Sequence, residues 1–538
     1  MRNLILPTSI RAARRLGLLL LAPALIAVQG CTELSEEPKS AITPDNYYQN
    51  EEEVLAGLAS VYAGLRNPFT LWGYYNMAEI SSDEMIIPTR GQDWLDNGRW
   101  MELDRHTWAA NSPAGLDDVR RVWVDAYTPI ARANVVLEAL PNVNVANKNI
   151  VEAELRALRA FYYYLLLDNF GGVPIVETTE IAERPRNSKV EVFDFIANEL
   201  TAARAVLPET WPAAQNGRLT RYAADAILAS LYLNAGVMRR DDPSATAYNS
   251  CQTVQIGTAT ACDAAINAAD RVINSGQYTL STNWRANFTH DNHLSRENIM
   301  VAKHVAASGE LGMNFVQRTL HYAQTSPDAW NGFSTIAEVY NAFDAADARR
   351  QIFLVGPQVN LDPQASNYQQ PVNVRGTTTQ LVFTPEIPNP NQATEGDGAR
   401  ILKFPPDPNH VAQDHGNDFT YFRLAEMLMI KAEAQNELGN TGLAVATMNT
   451  TINGTTLRSR VGMPAFAAAT QAEFRTAILR ERLFEFAGEA KRRMDLIRHG
   501  GFTAAWFNKP QSAAHRILLP IPQTQIDANP ALVQNPGY

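Results

Sequence analysis

The side chains in this sequence best suited to binding chemistry are aromatic and acidic, and they are clustered. Four of the nine tryptophans, Trp72, Trp94, Trp100 and Trp108, fall within residues 67–111, beside Tyr74, Tyr75, Asp83, Asp93 and Asp96. A second pair, Trp330 and Phe333, flanks Asn331 and Gly332 in the middle of the chain. The axial C–H bonds of a pyranose pack on aromatic faces, while carboxylates and amides orient its hydroxyls, so loops of this composition suit a saccharide surface. Trp72, Tyr75, Trp94, Trp100, Trp330 and Phe333 are therefore the candidate ligand contacts. The competing role for each ring is to anchor an irregular loop to the core, because large aromatics are mostly buried. Tyr421 and Phe422, spaced as on a helical stripe, are expected in the core.

Catalytic patterns are sparser. The sequence contains no HExxH, no glycine-rich phosphate loop ending in Gly-Lys, no GxSxG and no dinucleotide fingerprint. Two carboxylates suffice for glycoside hydrolysis and the chain has 56 Asp and Glu residues, so composition alone does not dismiss a hydrolase. His290 and His293 around Asp291, and His410 with His415, lack a third ligand at fixed spacing and are expected to be solvated loop histidines. Asp344 and Asp347 lack the glycine and terminal Glu of a calcium loop. No metal or cofactor is assigned.

The formal charge is −10, and loss of a leader containing Arg2, Arg11, Arg14 and Arg15 would take it to −14. Such a surface repels nucleic acid and phosphate-rich ligands and favours neutral or cationic ones. The leader consists of an arginine-bearing stretch to Arg15, an apolar run from Leu16 to Val28 and then Gln29-Gly30-Cys31. The apolar run is too short to span a bilayer. The pattern resembles a bacterial lipoprotein signal (residues 1–30), with Cys31 becoming the lipidated first residue and residues 31–40 an anchor and spacer. Committing Cys31 to lipid leaves Cys251 and Cys262, which can pair in an oxidising envelope or stay as two free thiols.

The elements that must position the aromatics are mostly helical. Val54, Leu58, Val61, Tyr62 and Leu65 recur at three and four, as do Leu155, Leu158, Tyr162 and Leu165, the mark of amphipathic helices. Gly171-Gly172-Val173-Pro174 ends the second. Two more helices are expected over Arg221–Gly236 and Cys262–Ser275. Helical patterning returns at Asp418, read as an N-cap, and stops at Gly439. Thr470 and Glu473 form a capping box for a last long helix, on which Glu481, Glu485 and Glu489 stand in one column and call for Arg480, Arg482, Arg492 or Arg493 as partners. Helical segments are thus expected at about 41–66, 112–281 and 418–538, and loop-rich segments at about 67–111 and 282–417. Small residues near the turn Glu437-Leu438-Gly439 make the pair spanning Lys431 to Ile452 similar to a tetratricopeptide unit.

Several motifs carry a wider resemblance. Leu519-Pro520-Ile521-Pro522, Ile526-Asp527-Ala528-Asn529-Pro530 and Gln534-Asn535-Pro536-Gly537-Tyr538 resemble the terminal signature of the SusD/RagB family of nutrient-uptake lipoproteins. Leu158-Arg159-Ala160-Phe161-Tyr162-Tyr163 leading to Phe170-Gly171-Gly172-Val173-Pro174, then Tyr222 to Tyr232, Arg423-Leu424-Ala425-Glu426, Glu481-Arg482 and Asp495-Leu496 agree in order. The resemblance spans residues 41–538. It implies a mainly α fold, a tetratricopeptide-like helix-pair scaffold with a large loop-rich ligand-binding face. It also implies a lipid-anchored outer-membrane location facing the cell exterior and a SusC-like TonB-dependent barrel as partner. The ligand expected is an oligosaccharide, with peptide capture as the rival within the family; a helical adaptor without ligand and a surface hydrolase are the rivals outside it.

Overall fold

The computed structural model describes residues 48–69, 73–309 and 312–538. The leader, Cys31 and the spacer lie outside them, as does Trp72. Among the described residues no helix is long and apolar enough to cross a membrane.

Helices dominate, and local sequence explains where they begin. Asn50 caps α1 (Glu51–Ala63) by accepting from the Glu53 backbone N–H, and Ser188 with Glu191 forms a capping box on α6 (Lys189–Val206). The intervening helices are α2 (Tyr74–Ile80), α3 (Arg99–Arg105), α4 (Arg120–Ala139) and α5 (Lys148–Phe170). Thr220 caps α7 (Arg221–Leu233), and Thr260 with Asp263 caps α8 (Ala261–Ile273). The series continues with α9 (Leu424–Glu437), α10 (Thr441–Met448), α11 (Gln471–Phe486) and α12 (Arg492–Arg498). Neighbours in the chain are neighbours in space: α4 packs on α5, α5 on α6, α6 on α7, α7 on α8, α8 on α9 and α9 on α10. α5 is central, with every residue from Ala157 to Phe170 buried, which matches its apolar and aromatic run. The Thr470–Glu473 capping box forms as the spacing indicates, and Gly439 takes φ +82° just past α9. Cys251 and Cys262 are joined in a buried disulfide beside α8.

Asp418 is not a helix cap. Residues Phe419–Arg423 form β4, which pairs antiparallel with β2 (Asn298–Ala302), and α9 begins only at Leu424. Three aromatics within five buried residues favour the extended pairing, where rings pack against cross-strand neighbours. Asp418 instead accepts from the His304 N–H at 3.0 Å and from Lys303 at 2.5 Å. Tyr421 and Phe422 are buried, as expected.

The acidic column expected on α11 is broken and redirected, because the helix ends at Phe486 and Glu489 lies beyond it. Glu481, Glu485 and Glu489 are buried and paired mainly with cations from other segments: Arg349 from the loop-rich region, Arg458, Arg460, Lys403 and Arg423. Arg482, Arg492 and Arg493 serve Asp495, Asp83 and Asp168 instead, and Arg480 donates to the Ala342 carbonyl. The helix thus turns its charged face inward, and the network fastens the loop-rich region to the scaffold. Two short pairings complete that region's frame. β1 (Met85–Ile86) pairs antiparallel with β3 (Ser334–Thr335), and Thr335 bridges to Ala399. The aromatic loops leave from this frame.

Candidate ligand-binding face

Two buried arginines organise the loops that carry the tryptophans. Arg90 donates from Nη1 to the carbonyls of Asn331 (2.7 Å) and Gly332 (3.2 Å), and from Nη2 to Ser334 Oγ and the Asp397 carbonyl. Arg400 donates to Asn331 Oδ1 (2.8 Å), Ser334 Oγ (2.8 Å) and the carbonyls of Glu395 and Asp397. Burial pushes the Arg90 guanidinium down to about 10, and burial together with the charge of Arg90 holds Arg400 well below its usual range. Carbonyl oxygens do most of the solvation here, which holds three loops in one arrangement.

Trp94 sits on this frame. Its Nε1 donates to the Trp330 carbonyl at 2.7 Å, and its ring meets Trp100 edge-on at 5.4 Å and Phe333 at 6.4 Å. The approach depends on Gly332, where a Cβ would lie 2.4 Å from the indole. Trp94 adopts φ +63° and Asn331 φ +51°. A bulky residue held in the left-handed region signals a position fixed by its surroundings, a feature concentrated at functional sites.

Beside the indole, Asp93 accepts from the Tyr322 hydroxyl and from Arg375 Nη2 at 2.9 Å, and the Arg375 guanidinium lies 4.1 Å over the Tyr322 ring. Glu395 accepts from the Arg375 backbone N–H and faces His321 Nε2, both at 2.8 Å. His321 Nδ1 accepts from the Ala323 N–H, so Nε2 carries the proton. Partial burial raises the Asp93 carboxyl, but the bonds from Tyr322 and Arg375 outweigh it and hold the group below its usual range. Burial and Asp93 push the Tyr322 phenol up to about 12, so it stays a donor at neutral pH. The result is a rim of fixed donors and acceptors with one exposed guanidinium between two carboxylates, suited to neutral hydroxyl-bearing ligands.

The structure gathers five of the six sequence candidates into one cluster, but not as a flat exposed platform. Trp94 and Trp330 are half-buried and remain at the surface. Trp100 (1% exposed), Phe333 (3%) and Tyr75 (5%) are core residues, so an exposed role for these three is corrected. Tyr75 stacks on Phe315 at 4.4 Å, and Tyr75 and Phe333 line a small cavity of about 20 Å³, room for about one water. The physical reason is that these rings support Trp94 from beneath. Trp108 is buried too, donating to the Tyr538 hydroxyl. Tyr322, Arg375 and Glu395 carry no local signal in the sequence: Tyr322 and Arg375 lie 229 and 282 positions from their partner Asp93, and Glu395 lies 74 from His321. Among the described residues no set of three or more metal-ligating side chains converges; His410 and His415 are buried, not solvated as expected, because His410 faces Asp362 at 3.0 Å and His415 Nδ1 accepts from the Asp407 N–H.

Comparison with known proteins agrees with this architecture. Residues 334–538 match the SusD family, and residues 44–233 match the family described as starch-binding, associating with the outer membrane. The chain belongs to the SusD/RagB family. Among curated relatives, SusD-like protein P25 of Formosa agariphila is 23% identical, with 94% of this chain and 96% of that protein aligned. Starch-binding protein SusD of Bacteroides thetaiotaomicron is 25% identical over 86% of this chain and 85% of its own. Among solved structures, a laminarin-binding SusD-like protein superposes with TM-score 0.70 at 24% identity, covering 91% of this chain and all of the other. A surface glycan-binding protein A from Bacteroides thetaiotaomicron, in complex with laminarihexaose, gives TM-score 0.69 at 20% identity, covering 90% of this chain and 100% of that one. The mainly α SusD-like fold is therefore shared along nearly the whole length. In this SusD-family chain Trp94 lies within the 44–233 match, Trp330 lies between the two matched segments, and the β1–β3 pairing joins one match to the other.

Proposed function

We propose that this chain is a surface glycan-binding lipoprotein, anchored through Cys31, that holds an oligosaccharide on the Trp94–Trp330–Tyr322 face and passes it to a SusC-like TonB-dependent outer-membrane barrel. The observation that carries the binding step is the Trp94–Trp330 junction. An indole held by a hydrogen bond, by Gly332 and by Trp100 is pre-organised, so little side-chain freedom is lost when a sugar ring packs on it. Asp93, Tyr322 and Arg375 then orient hydroxyls at its edge. Trp72 remains a proposed additional contact.

The ligand class draws support from the relatives, one named for starch and one for laminarin. The barrel partner and the lipid anchor rest on the family resemblance and the leader pattern. The reading assigns no reaction: the rim carboxylates are held ionised by fixed donors and none is arranged as a free acid opposite a nucleophile. A glycan array probed with the chain from Thr32 onward, with a peptide library in parallel, tests it. Retention of neutral oligosaccharides without chain shortening is expected; retention of peptides alone would move the assignment to peptide capture.

A further inference from the structure

We infer that the helical scaffold carries a second saccharide site, sized for a single sugar ring, in the cleft between the α6–α7 connection and β2. The cleft has a volume of about 210 Å³ and shares no residue with the loop face. Drug-sized ligands occupy about 300–1,000 Å³, so this cavity suits something smaller. Its wall combines Trp211, Tyr278, Arg218, Gln277, His293 and Asn298.

The groups are fixed in ways that favour a neutral, hydroxylated ligand. Trp211 Nε1 donates to the Leu219 carbonyl at 2.8 Å, and the Arg218 guanidinium lies 3.9 Å from the ring centroid. Trp211 is thereby held in place while staying half-exposed. Arg218 is neutralised by Glu154, to which its Nε donates at 2.9 Å, so the cleft offers polarity without a spare cation for phosphate. Asn298 directs its Nδ2 at the carbonyls of Asn287 and Asn292, and its Oδ1 is buried without a hydrogen-bond partner, so this amide is fixed in the wall and is not offered to the cleft. The Gln277 amide makes no side-chain hydrogen bond to any described residue and can serve a ligand hydroxyl. A partly exposed indole, with Arg218 covering one face, beside the uncommitted Gln277 amide and internally paired charges is chemistry that recognises a sugar ring. The site stands independently of the loop face and would hold a second part of a long chain or a second molecule.

The test uses the full chain in detergent and saturation-transfer NMR with neutral di- and trisaccharides of the gluco, manno and xylo series. Four forms are compared: unaltered, Trp94→Ala/Trp330→Ala, Trp211→Ala and Gln277→Ala, each with its melting temperature recorded. Saccharide signal surviving in the loop-face double variant, weakened about tenfold by Trp211→Ala, the scale of one lost aromatic contact, and less by Gln277→Ala, is the expected result. Absence of signal in the loop-face double variant, or signal there that neither Trp211→Ala nor Gln277→Ala changes, overturns the site. The loop-face reading is judged separately, by what the double variant loses relative to the unaltered chain.

Discussion

The indole of Trp94 donates to the main-chain carbonyl of Trp330 across 236 positions of sequence, at 2.7 Å. That one bond joins the two loop-rich segments at the surface, and the absence of a side chain at Gly332 lets it form. Gly332→Ala would place a Cβ 2.4 Å from the ring and push the indole away. Overpacking of this kind costs about 1–3 kcal/mol. Titration calorimetry should show oligosaccharide affinity falling about tenfold while the fold persists by circular dichroism.

How much of this could be read beforehand varies with the range of the interaction. The leading helices and the Thr470–Glu473 capping box were legible because a helix is specified by neighbours three and four residues away. The same logic failed at Asp418, where pairing with β2, more than a hundred residues earlier, overrides a plausible cap. Residue type located Trp94 and Trp330 but did not separate them from Trp100 and Phe333. Which ring faces water depends on how loops from three parts of the chain are tied by Arg90 and Arg400. Nothing local marks either arginine.

Arg423 sits among Glu297, Glu485 and Glu489, with ion pairs of 2.6–2.9 Å to all three, and every partner is buried. Removing one member of a buried charge cluster leaves uncompensated charge. Arg423→Met should therefore lower unfolding free energy by about 3–5 kcal/mol in chemical denaturation. A loss below about 1 kcal/mol would mean that the network does not clamp the loops to α11.

Glu79 and Glu84 face one another inside the frame, and their carboxylates accept from the backbone N–H groups of Ala490 and Gly488, both at 2.5 Å. Burial pushes Glu84 up to about 7, and burial together with the charge of Glu84 raises Glu79 well above the usual range. Because the folded value exceeds the unfolded one of about 4.3, this contribution to stability is full below that pH and is lost as pH rises through about 7. Glu84→Gln keeps the acceptor for Gly488 but removes the titration. Relative to the variant, the unaltered chain should lose on the order of 1–3 kcal/mol between pH 5 and pH 8. Parallel pH profiles in urea melts would exclude a shared proton.

The Cys251–Cys262 disulfide closes a loop with a sequence separation of 11 next to α8. On the chain-entropy model a loop of this size contributes about 3 kcal/mol. The double change Cys251→Ala/Cys262→Ala should lower the melting temperature by several degrees without altering glycan affinity, since neither residue approaches the loop face. A loss of affinity at unchanged stability would tie this loop to ligand binding.

Trp94 and Trp330 form the proposed surface on which an oligosaccharide rests. Its most direct test is calorimetric titration of the chain from Thr32 onward, using the best oligosaccharide from the array, before and after Trp94→Ala and Trp330→Ala. Binding without turnover, weakened at least about tenfold by either substitution with the melting transition retained, is the predicted result. Full affinity in both variants would contradict the account and place the ligand elsewhere on the molecule.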